Sequence, residues 1–189
     1  MTPPPIHLLH LPYVEKLQHR STTDIDLAVI HCTELPSLAM AREYGEKILY
    51  PESGTGNSGH YYIGQNGNIE QWVPPDRVAH HVRNSNQRSI GIELDNPGRY
   101  PNWYDSRHQR MTHQYPADQI TGLLQLLSHL SAELPCLEWL CGHDALDRSE
   151  VPATDNPDLT VLRKRDPGPC FPWPEVLSGT CLKPLPEDN

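Results

Sequence analysis

Three side chains in this sequence combine residue type and surroundings in a way that suits metal chemistry. His31 lies in the apolar run "LAVIHC", and His143 follows Cys141 and Gly142 at the end of "LEWLCG". Asp166 sits in "RKRDPGPCFPW", a lone carboxylate after Arg163, Lys164 and Arg165 and directly before Pro167-Gly168-Pro169. Two imidazoles and a carboxylate form a donor set for zinc with a fourth position left for water. The prolines stiffen the chain at Asp166, so holding a ligand there costs little further entropy. Donors this far apart form no local signature, and either histidine alone reads equally well as a satisfied core residue.

The elements that must position them follow from periodicity. "LAVIHC" (27–32) and "SIGIEL" (89–94) are short apolar, β-branched runs that predict buried strands, and "LEWLCG" (137–142) predicts a third. "HYYIGQNGNIEQWV" predicts a hairpin, because Asn66-Gly67 supplies the positive φ of a tight turn. Ile120, Leu123, Leu124, Leu127 and Leu130 fall on one helical face between 117 and 134. Residues 38–49 and "FPWPEVL" predict further helices. The expected fold class is therefore mixed α/β: one domain with a central mixed sheet flanked by helices. Its expected limits are 27–177, with a proline-rich arm over 1–26 and a tail over 178–189.

Other motifs fall away on context. "GTGNSG" (54–59) matches G-x-G-x-x-G, yet it follows a helix and opens a strand, the reverse of a dinucleotide-binding turn. Of the 11 histidines, His7, His10, His19, His108, His113 and His129 occupy arm, loop or polar-face positions. His80 and His81 would point to opposite sides of an extended chain, which leaves one of them to line a pocket.

Composition limits the function classes. A net charge of −9 over 189 residues excludes an anionic nucleic-acid or membrane surface as the expected partner. No apolar run approaches the ~20 residues that span a bilayer. The first 20 residues lack a basic region and a continuous apolar stretch, so they do not read as a secretory signal. Five cysteines without framework spacing read as reduced thiols, which points to a cytoplasmic protein; a wall-lytic enzyme delivered by another route is the alternative.

Taken in order, "AVIHCTE", "SGHYYIGQNGNIEQWVP", "NQRSIGIEL", "CGHDAL" and "KRDPGPCFPW" resemble the zinc-dependent N-acetylmuramoyl-L-alanine amidases. That superfamily includes lysozyme-type phage amidases, muropeptide-recycling amidases and peptidoglycan recognition proteins. The resemblance runs from about residue 27 to 173. It implies Zn2+ held by His31, His143 and Asp166, Glu93 as the general base, and Lys164 facing the oxyanion. Some relatives carry cysteine at the position of Asp166, which makes Cys170 a reserve ligand candidate. His81, Asn86, Tyr61 and Trp72 are the substrate-binding candidates, with core packing an equal reading for Tyr61 and Trp72.

Two inserts, 95–116 and 144–163, flank these motifs and are expected to form loops beside the site. The expected reaction is hydrolysis of the bond between N-acetylmuramic acid and L-alanine in soluble muropeptides. Lysis of polymeric peptidoglycan and non-catalytic peptidoglycan binding are the alternatives. The sequence leaves the oligomeric state open.

Overall fold

The computed structural model describes residues 4–186. β2 (Leu27–Cys32) and β5 (Ser89–Leu94) have the bounds that the apolar runs predict, and every residue of β2 is buried. Continuous apolar strands suit parallel pairing with both faces covered, and β2 indeed lies between β5 and β6 (Trp139–Gly142), parallel to both. The hairpin joins β3 (Tyr61–Ile63) to β4 (Ile69–Gln71), and Gly67 at its turn has φ of 80°. β1 (Ile6–Leu8) and β9 (Lys183–Pro184) complete a seven-stranded mixed sheet in the order β1-β4-β3-β5-β2-β6-β9.

Each face of the sheet has its own cover. α2 (Ala117–Glu133) buries Ile120, Leu123, Leu126, Leu127 and Leu130, and α4 (Trp173–Gly179) buries Val176. Both pack on Ala28, Ile30, Ile90, Ile92, Tyr61 and Ile63 in the main core. The opposite face is covered by α1 (Leu38–Gly45) and by residues 11–17, whose Leu11, Tyr13, Val14 and Leu17 pack with Tyr62, Trp72 and Val73. α1 stops at Gly45, short of the expected 49, where a Cβ would come within 3.2 Å of the Trp72 ring.

The first 26 residues differ from an arm wherever they are described. β1 pairs with β4, Ile25 joins the main core, and buried Arg20 donates to the carbonyls of Pro75, Asn86 and Ser89. The prolines and histidines that break periodicity here suggest loose chain, but the site face has a single short helix and needs these apolar residues to close it. In the expected tail, β9 pairs with β6. Residues 1–3 and 187–189, the outer ends of both expected segments, lie outside the described residues.

The insert 144–163 begins within the short helix α3 (His143–Leu146). It then forms a small hairpin of β7 (Glu150–Pro152) and β8 (Thr160–Leu162). Residues 95–116 contain no helix or strand.

Candidate metal and hydrolytic site

Sheet register assembles the site. His31 and Glu93 are partners across β2 and β5, and Tyr62 of β3 is the partner of Glu93 on its other side. His143 follows directly after β6, whose Gly142 is the partner of Ile30. The carboxyl ends of adjacent parallel strands, where open α/β sheets place their ligands, thus bring His31, Glu93 and His143 to one level. Asp166 arrives from the loop after β8. Its carbonyl accepts the Asp144 amide at 3.0 Å, and Tyr115 Oη donates to the next carbonyl, of Pro167, at 2.6 Å.

Asp166 Oδ2 lies 3.0 Å from His31 Nδ1 and 3.0 Å from His143 Nδ1. The three donor atoms lie within 4.8 Å of one another, and this is the one such cluster among the described residues. All three side chains are buried, and Asp166 Oδ1 and His143 Nε2 have no hydrogen-bond partner. Burial opposes ionisation of Asp166. Nonetheless His143 and Lys164 hold its carboxyl well below the usual range. Burial, with His143 beside it, lowers His31 to about 4.

A chain of hydrogen bonds fixes which nitrogen of His31 is bare. Ser89 Oγ donates to the Ser85 carbonyl at 2.7 Å, so it accepts from His81 Nε2 at 3.2 Å. His81 Nδ1 is then an acceptor and takes the proton of His31 Nε2 at 3.0 Å. The lone pair of neutral His31 Nδ1 therefore faces an ionised carboxylate oxygen. Two acceptors at that separation repel unless a cation lies between them. The donor set, the orphaned Asp166 Oδ1 and this tautomer all fit a zinc ion, whose ligands are ordinarily nitrogen and oxygen groups of this kind.

Glu93 Oε1 lies 4.0 Å from His31 Nδ1. Its carboxyl is pushed up to about 8, first by burial and next by the negative charge of Asp166, with Lys164 opposing. Glu93, Lys164 and the three donors line one open cleft of about 410 Å³.

The remaining expected residues divide. His81 and Asn86 line the cleft, and Asn86 Oδ1 accepts the amides of His81 and Val82 at 3.0 and 2.8 Å. Gly91 makes room for the His81 ring, because a Cβ there would lie 2.5 Å from His81 Cγ. Tyr61 and Trp72 are not in the cleft. Tyr61 packs in the main core and accepts from Gln71 Nε2, while fully buried Trp72 stacks on Tyr62 and donates to Glu70. Strand alternation turns Tyr62 toward the site and Tyr61 toward α2. Cys170 is also outside the donor cluster, its Sγ 3.5 Å from the Met111 carbonyl.

Sequence reasoning missed other residues. His80 lines the cleft together with His81, against the expectation that only one of the two would, because the chain there is not an extended strand; its ring stands edge-on to Tyr50 at 5.2 Å. His60 is wholly buried: its Nδ1 accepts the Gly91 amide at 3.0 Å, and its Nε2 lies 3.1 Å from the Arg77 carbonyl. Its place in "SGHYYI" beside a buried strand was the available signal.

Residues 21–169 match the family described as N-acetylmuramoyl-L-alanine amidase. No curated protein matches the sequence. Among solved structures, the amidase LysC from Clostridium intestinale URNW superposes with a TM-score of 0.64 at 19% identity, covering 95% of this chain and 99% of that one. A selenomethionine AmpD structure has a TM-score of 0.64 at 21% identity, with coverage of 93% and 94%. AmiD from E. coli, solved with anhydro-N-acetylmuramic acid-L-Ala-D-γ-Glu-L-Lys, has a TM-score of 0.56 at 24% identity, with coverage of 82% and 57%.

Proposed function

The chain belongs to the N-acetylmuramoyl-L-alanine amidase family and is a peptidoglycan amidase, and from that premise we propose a zinc enzyme that works on soluble muropeptides. The observation that carries the metal is the buried Asp166 oxygen 3.0 Å from both imidazole Nδ1 atoms. Zinc held by His31, His143 and Asp166 would polarise the amide carbonyl and acidify water.

The chain's own groups supply the rest. Glu93, whose Oε1 lies 4.0 Å from His31 Nδ1 in the cleft, is placed to take a proton from the attacking water. It then returns that proton to the departing L-alanine nitrogen. Lys164 lines the same cleft and offers a positive charge to the oxygen that becomes anionic. His81 orients His31, and Asn86 in turn holds the His81 backbone.

The soluble-muropeptide reading draws on two observations. All five cysteines are free, as in a reducing compartment, and the AmiD relative was solved with an anhydro-muropeptide. Cytoplasmic residence is part of the same proposal. The test offers purified protein an anhydro-muropeptide and intact sacculi in parallel, with Asp166→Ala as the control. Stem-peptide release from the small substrate alone supports the reading, whereas release from sacculi makes the protein a wall-lytic amidase.

A further inference from the structure

The two inserts contribute no donor to the cluster, but one side chain joins both of them to it. Arg99, in the first insert, is 3% exposed. Its Nε and Nη2 donate to Glu34 Oε1 and Oε2 at 2.7 and 2.8 Å, a two-point fork on one carboxylate. Its Nη1 donates to the Leu162 carbonyl at 2.9 Å, and Nη2 reaches the Arg163 carbonyl at 3.3 Å. Glu34 lies just beyond the His31 strand, in a left-handed conformation with φ of 49°, and its carbonyl accepts Trp103 Nε1 at 3.0 Å. A single guanidinium therefore spans the exit of β2 and the two peptide units directly ahead of Lys164.

We propose that Arg99 is a positioning residue for the amidase reaction. Anchored on Glu34, it sets the Leu162-Arg163 backbone so that Lys164 and Asp166 meet His31 at the correct separation. The inference rests on the roles given above to Lys164 and Asp166. A stability role alone accounts poorly for the arrangement, because a buried ion pair is often replaceable by apolar residues of similar volume without loss. An apolar pair, however, leaves the two carbonyls unheld. Lysine cannot reproduce the fork either, being a point charge on a flexible stem.

The experiment compares wild type with Arg99→Lys, Arg99→Met and the paired Glu34→Met/Arg99→Met variant. Each is assayed for kcat and KM on an anhydro-muropeptide, for zinc affinity by competition with a chromogenic chelator, and for Tm. The paired variant removes both charges together, so it keeps the test decisive if Arg99→Met alone fails to fold. The proposal expects folded, zinc-loaded paired variant to lose about 10–100-fold in kcat, with a similar loss of zinc affinity. KM should stay within about twofold, and Arg99→Lys should recover little of the rate. A folded paired variant with wild-type kcat and zinc affinity overturns the proposal. If the wild type itself releases no stem peptide, the functional reading fails and zinc affinity alone decides. About tenfold weakening then upholds Arg99 as a positioning residue, and unchanged affinity overturns it.

Discussion

His31 and Glu93 are register partners on β2 and β5, and their side chains leave the same face of the sheet with Nδ1 and Oε1 4.0 Å apart. Parallel strands keep such partners about 4.8 Å apart along their length, so the pairing is a property of the backbone rather than of a mobile loop. Slipping the register by one residue would turn Glu93 into the α2 core and Leu94 into the cleft.

The proton-transfer role predicts a clean loss in kcat. Glu93→Gln keeps the shape of the side chain and removes the base, and should lower kcat by about 10²–10⁴-fold. Lys164→Ala should lower it by about 10²–10³-fold. Steady-state kinetics on an anhydro-muropeptide, with zinc content measured in parallel, check both. Loss of zinc from Glu93→Gln would place that residue in the metal shell instead.

The hydrogen-bonded chain from Ser89 to His81 to His31 predicts a remote effect on the metal. Ser89→Ala removes the acceptor that fixes the His81 tautomer. Zinc affinity should fall about 10–100-fold although Ser89 touches no donor atom of the cluster. Competition with a chelator measures it, and unchanged affinity would show that the His31 tautomer is set by other means.

His60 predicts how stability depends on pH. Burial, and next the charge of Arg20, hold its pKa well below 6.5, and its Nδ1 accepts an amide hydrogen. The folded protein keeps it neutral while the unfolded chain protonates it near pH 6.5. Its stabilising contribution is therefore complete above about pH 6.5 and declines as pH falls, by up to about 1.4 kcal/mol per pH unit. His31 and His81 are shifted the same way, so the metal-free protein should lose stability steeply on acidification. Thermal unfolding of chelated protein from pH 8 to 5 should show this, and His60→Gln should flatten the slope by about one proton.

Trp72 and Tyr61 are predicted to act on stability alone. Trp72→Ala should cost about 3–5 kcal/mol through the cavity it leaves, or roughly 10 °C in Tm for a domain of this size. Tyr61→Phe, which loses only the hydrogen bond from Gln71, should cost about 1 kcal/mol. KM per folded molecule should be unchanged in both. A raised KM in either would return it to the substrate groove.

Much of this architecture is readable from local pattern. β2, β5 and the start of α2 coincide with their apolar periods, because a buried run or a helical stripe is a property of contiguous residues. The gathering of His31, His143 and Asp166 depends on strand order and register, which spacing does not encode, and the resemblance supplied what spacing lacked. Of the tyrosine pair it is Tyr62, not the expected Tyr61, that lines the cleft, because alternation in a three-residue strand leaves the facing ambiguous until its neighbours are known. Arg99 and Glu34 gave no signal at all: two charged loop residues read as solvated until the fold buries them against each other.

The most direct test of the central claim follows one bond and one metal. Purified protein is incubated with an anhydro-muropeptide, then again after chelation, and again after zinc is restored, with products identified by mass spectrometry. The account predicts release of a stem peptide bearing a free L-alanine amine, its loss on chelation, and its return with zinc. Release that persists after exhaustive chelation, or cleavage at a different bond, would contradict it.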